Sequence, residues 1–355
     1  MRSRPSKELS DLRHLLLRPS GDAERASTRY RVLAHIPAFH EAGFSTEIRF
    51  PLTLSRSSST YYLWRTLDLT RDLRRSKDVD LLFIQRKLYP APLAPWLSRS
   101  GRPPMVFDMD DALDLPPPRK SLSVRGRNRY RRNFLATVTA ADLVLCGNRN
   151  LADRLPHDRF EILPTAIDTN RFTPGAVGPA TGPILGWVGH TDNIGYLESL
   201  SEPLLEVARR HPGLRLVVVA ERPPSLPGIA VEFRRWNLDQ EINCFRGIRI
   251  GLMPLDDSPW TQAKCAFKAI QYMALGIPTV ASPVGMNREV IQDGTNGFLP
   301  GDSRAWVEVL DSLLSQPAMA TRIGAKGRIT VERSYSLTVV SRRLVEILSR
   351  VASRG

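Results

Sequence analysis

Cysteine is scarce in this chain of 355 residues, and its scarcity excludes a fold built on disulfides. The three cysteines, Cys146, Cys244 and Cys265, have neither the spacing of a metal site nor that of a disulfide framework. Long apolar runs are also missing, so the sequence predicts no membrane-spanning helix, and the basic N-terminus lacks the apolar core of a signal peptide. Together these absences favour a protein of the reducing cytoplasm.

Acidic residues are missing from one stretch, Arg119–Arg132, which contains seven lysines and arginines. The net charge of +14 is correspondingly uneven, with +11 in residues 1–176 and +3 in residues 177–355. Such a stretch can bind nucleic acid, an anionic membrane surface or an anionic substrate, or it can be a solvated arginine-rich face. Because its basic residues are not interleaved with aromatic stacking platforms, nucleic acid is the disfavoured partner.

Short apolar runs and helical patterns alternate along the whole chain, as they do in folds with parallel sheets. The pattern predicts a loosely docked leader over residues 1–27 and a first strand over Tyr30–Ile36. Farther along, apolar residues at helical spacing predict one long helix over Ile194–Arg210. The regular alternation indicates a doubly wound sheet with helices on both of its faces.

A stretch rich in proline and glycine, residues 173–183, divides the chain into two similar halves and is typical of a linker. The length of the chain and its ordinary composition, 42% hydrophobic and 24% charged, allow each half a core of its own. We therefore predict two doubly wound α/β domains, residues 1–175 and 176–355, that face each other across a cleft. Binding residues are then expected outside the carboxyl ends of the strands.

The stretch that begins at Lys264 combines a helix, a buried strand and a glycine turn. Apolar residues recur at helical spacing over Phe267–Leu275, and Gly276 ends the helix. The strand that follows leads into a tight turn at Gly285. Lys264 and Lys268 flank the start of the helix, where free backbone N–H groups and the helix dipole favour an anion. This stretch therefore predicts a diphosphate site.

Three carboxylates, Asp108, Asp110 and Asp111, lie within four residues at the end of an apolar strand. Carboxylates so close repel one another unless they are solvated, hydrogen-bonded or paired with a cation. They either cap a loop, with Asp111 starting a turn, or belong to an active site. Arg86 also follows a buried strand and can face an anionic group, and His190 either shapes its loop or meets a sugar or phosphate.

The stretch from Lys264 to Gly297 resembles the retaining glycosyltransferases of the GT-B fold, family four in the carbohydrate-enzyme classification. Their segment ends in Glu-Ala-Met-Ala-Cys-Gly-Xaa-Pro-Val-Val-Ala-Ser-Xaa-Xaa-Gly, followed by an acidic residue and Asn-Gly. Two glutamates, eight positions apart, face the donor in that family, whereas Ala263 and Gln271 stand at these positions here. The variant Lys-Cys-Xaa-Phe-Lys-Xaa-Xaa-Gln-Tyr-Met-Ala looks like a subgroup in which Gln271 can still hydrogen-bond a ribose diol.

Further segments resemble the same subgroup in register from Ser27 to Tyr335. The segments that carry the resemblance are Ser27–Arg31, Asp108–Asp111, Gly147–Asn148, Pro164–Asp168 and Gly186–His190. Many members of the family hold the diphosphate with basic residues just after the glycine that corresponds to Gly189, and these residues are absent here. The resemblance therefore assigns the phosphate charge to Lys264 and Lys268.

The resemblance implies an α/β protein of the GT-B fold, with two Rossmann-like domains and a final helix, residues 337–351, that packs back on the N-terminal domain. It implies a hexosyl- or glycosyltransferase that moves a sugar from a nucleotide-diphospho-sugar to a glycan, lipid or secondary metabolite with retention. The N-terminal domain is expected to bind this acceptor and the C-terminal domain the donor. Neither a metal nor another cofactor is expected, because basic side chains and a helix start can stabilise the leaving diphosphate.

The same resemblance supplies candidate residues for each role. The candidate catalytic residues are Asp108, Asp110 and Asp111. The candidate donor-binding residues are Gly189, His190, Lys264, Lys268, Gln271 and Gly285. The candidate acceptor or cleft residues are Arg29, Arg86, Asn148, Thr165 and Asp168.

Two functions of other classes stay open on the sequence alone. Without the glutamate pair, the chain could be a catalytically silent protein that binds a sugar nucleotide or a partner. Its charge of +14 leaves nucleic-acid binding as a third and disfavoured interpretation. The enzyme itself is expected in the cytoplasm, peripheral on the inner face of the membrane, with Arg119–Arg132 near the acceptor and against anionic lipid.

Overall fold

A computed structural model describes residues 13–51, 67, 70–72, 78–98, 101–116, 122–177 and 182–353 of the chain. The chain divides into two compact units, one of Met1–Thr165 together with Val340–Gly355 and one of Ala166–Val339. Each unit contains one parallel sheet with helices, as the alternating sequence pattern predicts. No helix among the described residues is both long enough and apolar enough to cross a membrane.

The first unit is built on a parallel sheet that has six strands among the described residues. They are β1 (Arg13–Arg18), β2 (Phe44–Ile48), β3 (Leu81–Gln85), β4 (Met105–Met109), β5 (Leu143–Cys146) and β6 (Phe160–Ile162). The strand order is β2-β1-β3-β4-β5-β6, and β3 and β4 are buried along their whole length. The order reverses beside β1, which places the topological switch point of this sheet at the carboxyl ends of β1 and β3.

Among the residues described up to Thr165, the helices of the first unit are short except for one. They are α1 (Ala26–Arg31), α2 (Ile36–Glu41), α3 (Val124–Ala140) and α4 (Arg149–Ala152), with 3-10 helices at Leu33–His35 and Ala94–Ser98. The N-cap Ser123 accepts a hydrogen bond from the Gly126 N–H at the start of α3, as helix capping favours. The C-terminal residues, Val340–Gly355, also belong to this unit.

The structure corrects two predictions for the N-terminal residues. The predicted strand over Tyr30–Ile36 is wrong, since this segment contains the end of α1 and a 3-10 helix. The predicted leader is also wrong from residue 13 onward, because β1 pairs with both β2 and β3. A short apolar run does not show by its periodicity whether it is strand or helix, and Tyr30–Ile36 is such a run.

The second unit is built on a parallel sheet that has five strands in the described part of this unit. Its strands are β7 (Ile184–Val188), β8 (Arg215–Ala220), β9 (Val231–Arg235), β10 (Ile250–Met253) and β11 (Thr279–Ala281). Its helices are α5 (Ile194–Glu198), α6 (Ser201–Arg210), α7 (Phe267–Ala274), α8 (Asn287–Val290), α9 (Ser303–Ser315) and α10 (Pro317–Ser334), and α11 (Leu337–Ala352) follows them. In the strand order β11-β10-β7-β8-β9, the switch point lies at the carboxyl ends of β7 and β10.

The predicted long helix over Ile194–Arg210 is wrong, because the structure breaks it into α5 and α6. Pro203 lies in the first turn of α6, where a missing backbone donor costs nothing, and it would break a continuous helix. The core of this unit includes apolar residues of α6 and α9 on the sheet, among them Leu204 and Leu310 with Leu185 and Leu216 of the strands. Burial of these helix faces stabilises the unit.

The long helix α10 is absent from the sequence prediction, and its glycines explain why. Gly324 and Gly327 lie in its interior, where glycine is a weak helix former. In the structure a Cβ at Gly324 would collide with the carbonyl oxygen of Gly276, which follows α7. From the same helix, Arg328 donates hydrogen bonds to the carbonyls of Phe172, Ala274 and Thr169. Close packing against α7 therefore compensates for the low helix propensity.

Candidate functional site

The loops that follow β7 and β10 meet at the switch point of the second sheet. Lys264, in the loop after β10, donates a hydrogen bond from Nζ to Oδ1 of Asn193, in the loop after β7, at 3.3 Å. Open α/β sheets bind ligands outside the carboxyl ends of their strands at such a point. The structure thus places Lys264, predicted to bind the donor, where the topology favours a ligand.

The N-terminus of α7 begins in a strained backbone conformation. Ala266, which directly precedes Phe267, has φ +49 and ψ 21, in the left-handed region. This conformation costs an alanine about 1–2 kcal/mol, so the surrounding structure must hold it, and such strain clusters at functional sites. No side chain caps the helix, and its first backbone N–H groups combine with the dipole and the nearby lysines to favour an anion.

Lys268 and Gln271 lie one turn apart on α7 and contact each other. The Lys268 Nζ donates to Oε1 of Gln271 at 2.8 Å, and Gln271 is buried. A glutamate at this position would neutralise the ammonium, whereas a glutamine forms the hydrogen bond without a charge of its own. Ala263 is also buried. Both positions that carry glutamate in the resembled family are therefore neutral here.

Gly189 and His190 follow β7 but are engaged in the structure of their own loop. The Gly189 N–H donates to the Val219 carbonyl at 3.1 Å, and a Cβ there would collide with the Trp187 ring. His190 is 58% exposed and accepts a hydrogen bond from the Asp192 N–H at 3.2 Å. The structure thus gives Gly189 a packing role and His190 a capping role, and their predicted contacts with the donor stay predictions.

Gly285 forms the turn after β11 and has φ +52, where a side chain is strained. Its N–H donates to Oε1 of Gln262 at 3.0 Å, so this turn contacts the loop after β10. Three loops of the second sheet, those after β7, β10 and β11, are therefore linked at one edge.

Asp108, predicted as catalytic, is buried in an ion pair. Its two carboxylate oxygens accept hydrogen bonds from Nε and Nη2 of Arg31 at 2.8 and 2.5 Å. Arg31 also donates to the Leu163 carbonyl and to Oγ1 of Thr165, each at 3.1 Å. Burial raises the pKa of Asp108, and Arg31 opposes that rise. Together with Arg31, Asp108 and Thr165 tie α1 to the ends of β4 and β6, and their predicted roles in catalysis and at an acceptor stay predictions.

Asp110 and Asp111 are more accessible and share one guanidinium. Arg86 contacts Asp110 through Nη1 at 3.1 Å and Asp111 through Nη2 at 2.9 Å, and all three side chains are between 13% and 23% exposed. Burial lowers the pKa of Arg86, but the two carboxylates outweigh it and raise the pKa. Arg86 also has φ +58, rare for a residue with a side chain. This charged group lies at the carboxyl ends of β3 and β4.

Asn148 and Asp168 shape the loops in which they lie. Asn148 caps α4, since its Oδ1 accepts a hydrogen bond from the Leu151 N–H at 2.9 Å, and it is buried. Asp168 accepts one from the Asn170 N–H at 2.9 Å, which forms a local turn. These contacts explain both residues structurally, and their predicted places at an acceptor stay predictions.

The described basic residues of the stretch Arg119–Arg132 are exposed on α3. Arg119 and Lys120 lie outside the described residues, whereas Arg125, Arg127, Arg129, Arg131 and Arg132 are all exposed on its first turns. Arg29, predicted near the acceptor, is half-buried on α1 and donates to the Glu24 carbonyl at 3.1 Å. The structure therefore separates a basic face on α3 from the buried Arg31.

Sequence reasoning missed Tyr272, which ties α7 to β7. Its hydroxyl accepts a hydrogen bond from the Val188 N–H at 2.9 Å and donates one to the Gly186 carbonyl at 3.3 Å. Burial raises the pKa of this tyrosine, which keeps its hydroxyl a donor. A Cβ at Gly251 would collide with the Tyr272 ring. The glycine at this position is therefore the feature of the sequence that indicates a large side chain packed against it.

Among the described residues, no group of three or more histidine, cysteine, aspartate or glutamate side chains is arranged to hold a metal ion. The groups that meet at the second switch point include two ammonium groups, a helix N-terminus and neutral amides. Such a set stabilises negative charge on a phosphate oxygen.

Comparison with known proteins finds a family match for part of the chain and a similar fold for almost all of it. Residues 182–316, which include the second switch point, match the family model described as "Glycosyl transferases group 1". Sucrose-phosphate synthase from Thermosynechococcus elongatus has a similar structure, with a TM-score of 0.73 over 97% of this chain and 100% of that one at 14% identity. The fold is GT-B. HepE from Anabaena, solved in complex with UDP and glucose, is also similar, with a TM-score of 0.67 over 96% of this chain and 100% of that one at 15% identity.

A curated relative matches a shorter part of the chain. D-inositol 3-phosphate glycosyltransferase from Nocardia farcinica is 26% identical over 203 residues, which is 49% of this chain and 43% of the relative. The match thus spans less than half the length of that relative. With the family model, it places the sequence similarity among glycosyltransferases of group 1, whereas the solved structures carry only the fold.

Proposed function

We propose that this protein is a retaining glycosyltransferase that transfers a sugar from a nucleotide-diphospho-sugar to a hydroxyl-bearing acceptor. The observation that carries the proposal is the contact of Lys264 with Asn193 at the second switch point. It lies beside the uncapped start of α7 and within the residues that match glycosyl transferases group 1. In this proposal the second unit binds the donor and the first unit binds the acceptor.

The donor half of the reaction follows from the groups around α7. A sugar leaves its nucleotide as the anomeric C–O bond breaks, and negative charge grows on the departing diphosphate. Lys264, Lys268 and the backbone N–H groups at the start of α7 would stabilise this charge without a metal. Gln271, one turn farther along, would hydrogen-bond the ribose hydroxyls. The complex of the Anabaena protein with UDP and glucose supports a donor of this class.

The acceptor half is assigned to the carboxyl edge of the first sheet. Asp110 and Asp111 are partly exposed there beside Arg86, and their carboxylate oxygens can accept hydrogen bonds from hydroxyl groups. A carbohydrate or a lipid-linked carbohydrate supplies such hydroxyls. The name of the Nocardia farcinica relative, which includes inositol 3-phosphate, supports a hydroxyl-rich acceptor.

A thermal-shift panel with UDP, GDP, ADP, TDP and their sugars tests the donor site. A ligand at about 100 times its Kd should stabilise the protein by about 2.7 kcal/mol. The nucleotide that stabilises the protein is then followed as a released product, with and without sugar and inositol acceptors. Stabilisation by none of the nucleotides would contradict the proposal.

A catalytically silent binder is the second candidate, and the neutral residues Ala263 and Gln271 favour it. Such a protein would be stabilised by a nucleotide sugar but would release no nucleotide with any acceptor. Replacing Gln271 by Glu restores one of the two carboxylates of the resembled family. A gain of nucleotide release in this variant alone would favour the silent binder.

We also propose that the first unit contacts an anionic membrane surface through the exposed arginines of α3, which suits a lipid-linked acceptor. Nucleic acid is the disfavoured alternative, and a shift assay with DNA and RNA at rising salt distinguishes the two. Tight binding of nucleic acid with a steep salt dependence would favour the alternative.

A further inference from the structure

The loop between β10 and α7, residues 254–266, carries the groups that the proposed donor site needs. Lys264 and the strained Ala266 lie at its end, directly before α7. A loop with such backbone strain needs contacts that hold it. Part of the support is internal, since the buried Thr261 donates from Oγ1 to the Asp256 carbonyl at 2.7 Å. The rest of the support has to come from neighbouring loops.

Gln262 uses both ends of its amide, one toward a neighbouring loop and the other within its own loop. Its Oε1 accepts a hydrogen bond from the Gly285 N–H at 3.0 Å, and its Nε2 donates to Oδ1 of Asp257 at 2.6 Å. A backbone N–H can only donate and an ionised carboxylate can only accept, so the orientation of the amide is determined. The amide of Gln262 thus binds both the N–H donor of Gly285 and the carboxylate acceptor of Asp257. A glutamate carboxylate could not bind both groups, and neither could an apolar side chain.

The turn at Gly285 is built to receive this side chain. Its φ of +52 turns the N–H toward the loop, and a Cβ at Gly285 would collide with the backbone of Gln262. Only a glycine allows the two backbones to approach so closely. The loop after β11 and the loop after β10 are therefore packed backbone to backbone at Gln262, two residues before Lys264.

We propose that Gln262 is a positioning residue of the donor site, which holds Lys264 and the start of α7 in the geometry that binds a diphosphate. It does not touch the substrate itself. It acts through the loop between β10 and α7. A loop that is no longer held at Gly285 must become ordered when the anion binds, and the free-energy cost of this ordering lowers the affinity. This inference rests on the proposed function, since it assigns a role in the binding of the same donor.

The test uses a reciprocal exchange of amide and carboxylate between the two side chains. Gln262→Glu turns the Nε2 donor into an oxygen that faces Asp257, so the two carboxylates repel each other. Adding Asp257→Asn to Gln262→Glu puts the amide at position 257 and the carboxylate at position 262. This double variant again pairs a donor with an acceptor, and it has the net charge of the wild type. Gln240→Glu, at an exposed position of a 3-10 helix, is the control for the added charge.

The full-length variants are titrated by calorimetry with the nucleoside diphosphate that best stabilises the wild type among UDP, GDP, ADP and TDP. We expect Gln262→Glu to raise its Kd about fivefold and Gln262→Leu about tenfold, while the double variant stays within about twofold of the wild type. Gln240→Glu should bind as the wild type does. Their melting temperatures are measured in the absence of nucleotide.

The outcomes separate the inference from the function on which it rests. A wild type that binds none of the four nucleotides contradicts the proposed function. A wild type that binds one of them, with unchanged Kd in Gln262→Glu and Gln262→Leu, overturns the role of Gln262 alone. A lower melting temperature with unchanged Kd would make Gln262 a purely structural residue, which also overturns the proposal. Failure of the double variant to recover affinity would show that the contact with Asp257 does not matter.

Discussion

Single residues in unusual backbone conformations mark both candidate sites. Among the described residues, Arg86 and Ala266 are the non-glycine residues with positive φ. Arg86 holds Asp110 and Asp111 at the edge of the first sheet, and Ala266 precedes α7 in the second. Strain of this kind persists where surrounding contacts outweigh it, and it concentrates where function needs a fixed geometry. Both positions are therefore sensible places to test function by substitution.

Replacing Lys264 or Lys268 by alanine should lower the rate of nucleotide release from the donor. A charge-assisted contact contributes about 1.5–3 kcal/mol, so the loss should be roughly tenfold to a hundredfold for each lysine. Both side chains are only half-buried, so the melting temperature should change little. Lys326→Ala, at an exposed lysine of α10, is the control. Wild-type turnover in both single variants would remove the lysines from the site.

The two kinds of carboxylate in the first unit should respond differently to neutralisation. Asp108→Asn leaves the guanidinium of Arg31 buried without its charged partner, which should cost about 3–5 kcal/mol of unfolding free energy. Asp111→Asn removes a partly exposed partner of Arg86 and should cost about 1 kcal/mol or less. Chemical denaturation measures both, and transfer to an acceptor is assayed in parallel. A stable Asp108→Asn variant that has lost only transfer would return Asp108 to the active site.

At the scale of elements, the close packing of α10 on the end of α7 supports the helix that carries Lys268. The contact is possible because Gly324 lets the two backbones approach, and Arg328 adds hydrogen bonds to the carbonyls of Ala274 and Thr169. The helix that presents Lys268 is thus held at its C-terminus by α10. Its N-terminus depends instead on the loop after β10. The two ends of α7 are stabilised by different elements.

Gly324→Ala should therefore destabilise the protein, although alanine is the better helix former. The added methyl group collides with the Gly276 carbonyl, and such overpacking costs about 1–3 kcal/mol. Gly195→Ala is the matched control, because this helical glycine of α5 is exposed and has open space around it, so alanine should stabilise by about 0.4–1 kcal/mol. Thermal denaturation measures both variants. Equal effects of the two substitutions would mean that α10 is not held against α7 in this way.

The basic face of α3 is the element through which we propose that the first unit contacts an anionic membrane. Arg125, Arg129 and Arg132 follow one another at intervals of four and three residues, which places them on one stripe of the helix. The backbone N–H of Ala91 donates to Asn133 of α3 at 3.0 Å, and the exposed Trp96 follows in the 3-10 helix that packs on α3. Arginine and tryptophan together suit the headgroup region of a bilayer.

Replacing Arg125, Arg129 and Arg132 by glutamine should weaken binding to anionic vesicles by roughly a hundredfold, because each contributes about 1 kcal/mol near such a surface. Co-sedimentation at low and high salt measures the effect, which should vanish at high salt. The control carries glutamine at Arg209, Arg322 and Arg333, three exposed arginines of the second unit. Nucleotide binding should be unchanged in both variants. Equal sedimentation of the two would make the stripe a solvated face.

At the scale of the whole molecule, the fold was largely predictable because the strands are short apolar runs. The apolar runs over residues 80–85, 143–146, 183–188 and 214–220 predict strands, and β3, β5, β7 and β8 agree with these ranges to within a residue or two at each end. Such runs are buried on both faces in a parallel sheet, so their signal is strong. The sequence pattern predicted a leader where β1 lies. The apolar run of β1 is only three leucines long and lies between arginines near the N-terminus. There, only pairing with β2 and β3 shows that the segment is a strand.

The sequence by itself determined which residue types follow each strand, and hence that carboxylates, lysines and glycines gather at sheet edges. Only the tertiary structure decided their partners. Arg31 pairs with Asp108 across 77 residues of chain, and Lys264 contacts Asn193 across 71. The first pairing buries Asp108 in an ion pair, and the second joins two loops at a switch point. Such partners depend on the order in which strands lie side by side, and local sequence pattern carries no information about that order.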